Sequence, residues 1–112
     1  MTDITTLGPY VAGEIPEPWQ HTFDDVNGLP IDISAFNVRV TYRVGRSAQI
    51  VRTGSIVSGP LGEAAYAWVA ADFATAGIMR GEMTVGNGSS ARYARSFIVR
   101  IKSPAGGALP AV

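Results

Sequence analysis

The only histidine in the chain, His21, is the one side chain that could act as a general base near neutral pH. It alternates with Trp19 and Phe23, which is the spacing of a strand that places all three side chains on one face. A nucleophilic triad also needs a serine beside the histidine, but no serine lies in a nucleophile-elbow motif, and cysteine is absent. We therefore predict a structural histidine, no catalytic residue, and a protein that is not an enzyme.

A second group with possible chemistry is the run Asp24-Asp25-Val26-Asn27-Gly28. Calcium sites use oxygen ligands close to a glycine turn, but the spacing of an EF-hand and its later glutamate are missing. Aspartate and asparagine also bond to their own backbone in tight turns. We predict a hairpin or Asx-turn here, with calcium as the alternative, and no metal or cofactor.

The charges are divided unevenly along a chain whose net charge is zero. Residues 1–38 contain six acids and no Lys or Arg, whereas residues 39–112 contain all nine Lys and Arg residues and three acids. Such asymmetry has two interpretations. The acidic part folds back over its own basic sheet, or it lies on a neighbouring copy.

The basic residues could also suggest nucleic-acid binding, since Arg39 and Arg43 share one strand face and Arg100 and Lys102 share another. A nucleic-acid platform also needs exposed aromatic rings between the basic residues. The aromatic residues here alternate onto the core side. We therefore predict no direct nucleic-acid binding, and a solvated face in which Arg39 or Arg80 pairs with Glu82 across strands.

The elements that position these residues are strands, because apolar residues recur with period two. In residues 36–44 the face of Phe36, Val38, Val40, Tyr42 and Val44 alternates with polar residues. Similar alternation is found in residues 63–69, 78–86 and 93–102, and weaker strands are predicted at 19–24, 30–33 and 49–57. A short 3₁₀ turn is expected within Ala71–Ala76.

Glycine-rich turns such as Asn27-Gly28 and Gly86-Asn87-Gly88 separate these strands at short intervals. About seven short strands predict an all-β fold, an immunoglobulin-like antiparallel β-sandwich. The domain should span residues 19–103, because 112 residues suffice for one core. No stretch has the roughly 20 apolar residues of a membrane-spanning helix, so no membrane association is expected.

Both ends of the chain are broken by proline and glycine but retain apolar residues. We predict an extended N-terminal arm at residues 1–18 and an extended C-terminal tail at residues 104–112. Only 16% of the residues are charged, which suits close contact with other proteins. The candidate subunit-interface residues are Ile4, Leu7, Tyr10, Val11, Ile15, Trp19, Arg39, Arg43, Arg100, Lys102 and Leu109.

An ordered set of motifs gives a family resemblance over about residues 19–103. It comprises the acidic hairpin segment Phe23–Ser34, the strand Asn37–Val44, then Gly62, Tyr66-Ala67-Trp68, Asp72–Gly77 and Arg80-Gly81-Glu82, and a final strand Phe97–Ile101. This set resembles the N-terminal immunoglobulin-like module of tailed-phage baseplate upper proteins and its short standalone virion relatives. The chain departs from the pattern at Met79, where an aromatic is usual, and at Ile33, where leucine is usual.

The resemblance implies a bacteriophage virion structural protein. We expect a capsid-associated decoration or head–tail accessory subunit that forms a homo-oligomer and binds the major capsid protein or tail and baseplate proteins. The alternatives are a tail baseplate component, or a carbohydrate or cell-surface binding module that uses Trp19, Tyr10 or Tyr93. Residues 1–12 have no basic region followed by an apolar core, so no signal peptide is expected. The expected location is the virion, assembled in the host cytoplasm, and not a secreted form.

Overall fold

The computed structural model describes residues 4–87 and 90–103, which form two β-sheets packed face to face. The strands are β1 Ile4–Val11, β2 Trp19–Thr22, β3 Asn37–Val44, β4 Ile50–Thr53, β5 Ser55–Ser58, β6 Glu63–Tyr66, β7 Gly77–Asn87 and β8 Ser90–Lys102. A single 3₁₀ turn, Ala70–Phe73, precedes β7. The prediction of an all-β sandwich is confirmed, and so is the short 3₁₀ turn.

One sheet has five strands in the order β1-β8-β7-β3-β4, and the other has three in the order β2-β6-β5. All pairs are antiparallel except β1 with β8, the first and last strands, which run parallel. Apart from the position of β1, this order matches the division of strands between the two sheets of immunoglobulin domains.

The core consists of the inward residues of both sheets, as the period-two pattern predicts. Trp68 packs against Tyr66, Phe73 and Phe97, with ring centroids 5.0, 4.9 and 6.0 Å apart. Met79, which stands where the resembled family has an aromatic, is completely buried, and so is Ile33. Both departures therefore keep an apolar core side chain.

The weaker strand signals are resolved differently by the structure. Residues 49–57 form two strands, because the chain leaves one sheet for the other at Gly54. A Cβ atom at this position would lie 2.6 Å from Val38 Cγ1 and 2.7 Å from the carbonyl oxygen of Ala65. Residues 30–33 form no strand; only Pro30 makes an isolated bridge with Asp24, and Ile33 fills the core from a loop. Eight strands therefore lie within residues 4–87 and 90–103.

The N-terminal segment, predicted as an extended arm outside the sandwich, is a strand of the domain itself. Residues 4–11 are extended, but they form β1, which pairs with β8 from Ile4 opposite Ser96 to Val11 opposite Lys102. Leu7 and Tyr10 pack against the core of their own domain, and Tyr10 makes an edge contact with Phe73 at 5.4 Å. The apolar residues of this segment are explained by the open edge of β8, which needs a partner strand.

Two surfaces follow from this topology. The first is the outer face of the five-stranded sheet, defined here by the exposed residues Arg39, Arg43, Arg80 and Glu82 together with the partly buried Thr41. The second is the acidic tip, defined as residues 24–32 together with the turn 58–62, at the end of the sandwich where β3 begins. In the described part of the chain, no helix is long and apolar enough to cross a membrane.

Candidate docking surface

The outer face brings together basic side chains from two neighbouring strands. In the β3–β7 register, Arg43 lies opposite Arg80, Thr41 opposite Glu82, and Arg39 opposite Thr84. Directly opposed like charges destabilise an antiparallel pair. The Arg43–Arg80 pair therefore costs free energy in the isolated domain, and a bound carboxylate would relieve that cost.

A shallow cavity of about 560 Å³ lies on this face. Its lining includes Thr41, Arg43, Ile78, Arg80 and Glu82. The predicted pairing of Glu82 with Arg39 or Arg80 is wrong, because the one ion pair within residues 4–87 and 90–103 joins Arg52 to Asp72. The cavity thus offers two guanidinium groups, one carboxylate and a partly apolar wall.

Gly81 brings β7 close to its neighbours beneath this face. A Cβ atom there would lie 2.7 Å from Tyr42 Cβ and 2.9 Å from Phe97 Cζ. Glycine therefore lets β3 and β8 approach β7 where a larger side chain would separate them. Arg80 was not among the predicted interface residues, because the alternation within residues 78–86 indicates its strand face but not that it lies opposite Arg43.

The acidic tip is a tight turn held by its own aspartates. The Oδ1 atom of Asp25 accepts bonds from the backbone N–H groups of Asn27 at 2.8 Å and Leu29 at 3.0 Å. This geometry confirms the predicted Asx-turn. It leaves the second carboxylate oxygen of Asp25 without a bond among the described residues, and the side chain of Asp24 is exposed.

Asp32 holds the other side of the same loop. Its Oδ1 atom accepts bonds from the hydroxyl and the backbone N–H of Ser34. The bond from the hydroxyl, and to a smaller extent the bond from the backbone N–H, lowers the pKa of Asp32. Three aspartates therefore carry negative charge at this end of the sandwich. Within the described residues there is no cluster of three or more potential metal-ligating acids or histidines.

Exposed apolar residues accompany these acids. Val26 is fully exposed at the apex of the turn, and Leu29 and Leu61 are 60% and 52% exposed. The backbone bonds from Phe23 to Gly62 and from Ile33 to Gly59 fix the turn 58–62 beside the loop. The acidic tip is thus a small apolar knob with carboxylates beside it. The sequence pattern predicted only a turn for these residues, so this combination of apolar and acidic side chains was not expected.

A buried polar cluster lies between the sheets and the 3₁₀ turn. Asp72 accepts bonds from the hydroxyls of Tyr42 and Tyr66, from the Val69 backbone N–H at 2.9 Å and from Arg52 Nε at 3.3 Å. Burial, then the bond to Asp72, raises the pKa of Tyr42 to about 12 and raises that of Tyr66 as well. All these groups are occupied in holding the fold together.

His21 lies where the sequence predicts, beside the two aromatic residues with which it alternates. Its ring centroid is 6.2 Å from that of Trp19 and 4.7 Å from that of Phe23. Burial, then the charge of Arg95, lowers the pKa of His21, while Asp24 opposes the shift. The lowered pKa favours the neutral form of the imidazole, which packs against the rings of Trp19 and Phe23.

The predicted interface residues fall into distinct groups. Arg39, Arg43, Arg100 and Lys102 are exposed on the five-stranded sheet, and Ile4, Val11 and Ile15 are also exposed. Leu7 and Tyr10 are partly buried in their own domain. Leu109 and the predicted tail at residues 104–112 lie outside the described residues.

Trp19 corrects the predicted interface most clearly. It is only 7% exposed, and its ring lies 4.9 Å from that of Phe97. Its prediction as an interface or glycan-binding residue is therefore wrong for this fold, since the ring is part of the core. Of the aromatic residues proposed for a glycan site, Tyr93 is 36% exposed and Tyr10 partly buried.

No family model and no curated protein matches this chain.

Proposed function

We propose that this chain is a non-catalytic structural subunit of a tailed-phage virion, which binds neighbouring virion proteins through the outer face of its five-stranded sheet. The observation that carries the proposal is that Arg43 lies opposite Arg80 beside an open cavity, and that neither forms an ion pair with a carboxylate among the described residues. Exposed guanidinium groups without carboxylate partners favour an acidic protein surface as the ligand.

The uses of the remaining polar groups support a structural role. Asp72 is bonded to two tyrosines, His21 packs against aromatic rings, and Asp25 holds its own turn. The titratable groups of the described core therefore stabilise the domain. The motif resemblance supplies the virion context, with a capsid decoration or head–tail accessory role as the first choice and a baseplate component as the second.

The location is tested by separating heads from tails of purified particles from cells that carry the gene, followed by quantitative mass spectrometry. We expect many copies of the chain per particle in the head fraction. Recovery in the tail fraction alone would replace the capsid role with the baseplate role. Absence from both fractions would refute a virion protein.

The docking surface is tested with the charge-reversed variant R39E/R43E/R80E. The three side chains are exposed, so the domain should remain folded by circular dichroism while incorporation into particles falls by about tenfold or more. S55E/A70E is the control, because it adds negative charge at two exposed positions, on β5 and on the 3₁₀ turn, outside the five-stranded sheet. Equal incorporation of the triple variant and the wild type would contradict docking through this face.

A further inference from the structure

We propose that the partner of the outer face is the acidic tip of a second copy of this chain. The cavity on the outer face presents Arg43 and Arg80 around a partly apolar wall that includes Ile78. The acidic tip presents the fully exposed Val26 on the same loop as the exposed Asp24 and Asp25, and the second carboxylate oxygen of Asp25 accepts no bond from the described residues. The two surfaces are complementary in charge, and each combines an apolar centre with charged neighbours.

A chain's own tip cannot occupy its own cavity. The loop that forms the acidic tip continues along the chain into β3, which begins at Asn37. A turn just before the strand is closed by the bond from the Phe36 N–H to the Ile33 carbonyl. The cavity lies toward the far end of β3, where Gly45 and Gln49 form part of its lining. Eight extended residues span about 25 Å, so the two surfaces lie at opposite ends of a stiff strand. The complementary tip must come from another molecule.

A symmetric dimer through the outer face alone is disfavoured. Face-to-face contact would place the arginines of one copy near those of the other, because a two-fold interface uses the same patch on both subunits. Contact between tip and face instead places carboxylates beside guanidinium groups. Such head-to-tail contact is heterologous, so it extends into a ring or an open row of subunits.

Self-association of this kind rests on the proposed function in one respect, since it takes the outer face to be used for assembly. A single knob buries little surface, and each contact should be weak. A row of subunits held on a larger particle would gain affinity from many such contacts at once. The contact should also weaken as the salt concentration rises, because the side chains of Asp24, Asp25, Arg43 and Arg80 are all exposed.

The test uses two charge-reversed variants that damage opposite halves of the contact. D24R retains an intact outer face, and R43E retains an intact tip. Analytical ultracentrifugation at low ionic strength should show that the mass of the wild-type protein rises with concentration beyond that of a dimer. Each variant alone should associate about tenfold more weakly or not at all. An equimolar mixture should associate more strongly than either variant alone, because the intact tip of R43E meets the intact face of D24R and the two reversed charges also complement each other.

E17R is the matched control for D24R, and S55E/A70E is the matched control for R43E, since they make the same net charge changes at exposed positions outside the tip and the cavity. Both should associate like the wild type. A wild-type protein that stays monomeric, a limiting dimer, or a mixture that remains monomeric would overturn head-to-tail contact. A monomeric protein that still enters virions would overturn only self-association, and a self-associating protein absent from virions would overturn only the virion role.

Discussion

At the residue scale, the most consequential side chain is Asp72, which was part of the motif Asp72–Gly77 in the sequence but had no role assigned to it. The carboxylate is 1% exposed and accepts bonds from two tyrosine hydroxyls, one backbone N–H and one arginine. It joins β3, β4, β6 and the 3₁₀ turn. A buried carboxylate with so many donors acts as a fixed hub for elements from both sheets.

We expect Asp72→Ala to lower the free energy of unfolding by about 3 kcal/mol or more, because it leaves several buried donors without an acceptor. Asp32→Ala is the control, since Asp32 is exposed and, among the described residues, its side chain bonds to Ser34 alone; its cost should be much smaller than that of Asp72→Ala. Urea unfolding of both variants measures the difference. Equal costs would show that Asp72 is not a hub.

The same cluster predicts a dependence on alkaline pH. Tyr42 and Tyr66 have raised pKa values in the folded state, so the folded chain keeps protons that an unfolded chain loses above pH ~10. Their contribution to stability is complete below pH ~10 and is lost as the pH rises toward 12. In a pH titration, the absorbance of tyrosinate should show a step well above pH ~10, and Tyr42→Phe and Tyr66→Phe should each reduce the amplitude of that step. A single step near pH ~10 in the folded protein would contradict the shift.

At the element scale, β1 changes the role of the N-terminal segment. Its residues alternate between solvent and core, with Ile4 58% exposed and Leu7 packed against the core. Arg95 Nε also donates a bond to Thr5 Oγ1 at 2.6 Å, which links β1 to β8. The strand covers the edge of β8, and unpaired edges are a liability in sheet proteins. Its first function is therefore to complete the domain.

Leu7→Ala and Ile4→Ala form a matched pair that tests this role of β1. We expect Leu7→Ala to cost about 1 to 2 kcal/mol, because its side chain packs against the core, and Ile4→Ala to cost less than about 0.5 kcal/mol. Urea unfolding at one temperature gives both values. Two equally small costs would indicate an arm that leaves the sheet in solution.

At the scale of the whole molecule, the first and last strands must meet before the larger sheet is complete. Thr5 and Arg95, which are bonded to each other, are 90 residues apart in the sequence. Closing such a long loop costs conformational entropy before the new contacts form. The same topology separates the acidic tip from the cavity by the length of β3, which makes the molecule electrically polar along that strand.

We expect refolding on the order of milliseconds to seconds, as for other all-β domains with distant strand pairs. Leu7→Ala should mainly accelerate unfolding, because pairing of β1 with β8 forms late. Stopped-flow fluorescence can follow this process through Trp19 and Trp68, both of which are buried. If the refolding rate of Leu7→Ala fell enough to account for the whole loss of stability, β1 would belong to the folding nucleus instead.

The sequence by itself determined the strand character and the core, because the side chains of a strand alternate between its two faces whatever their partners. Val38, Val40, Met83 and Phe97 were assigned inward on this ground, and the structure buries all of them. The Asx-turn at Asp25 was also predictable, since its bonds are local in the chain. Which strands pair, and in what register, was decided only by the tertiary structure. Long-range pairing therefore placed β1 on β8, Arg43 opposite Arg80, Trp19 in the core, and the acidic tip away from the basic cavity.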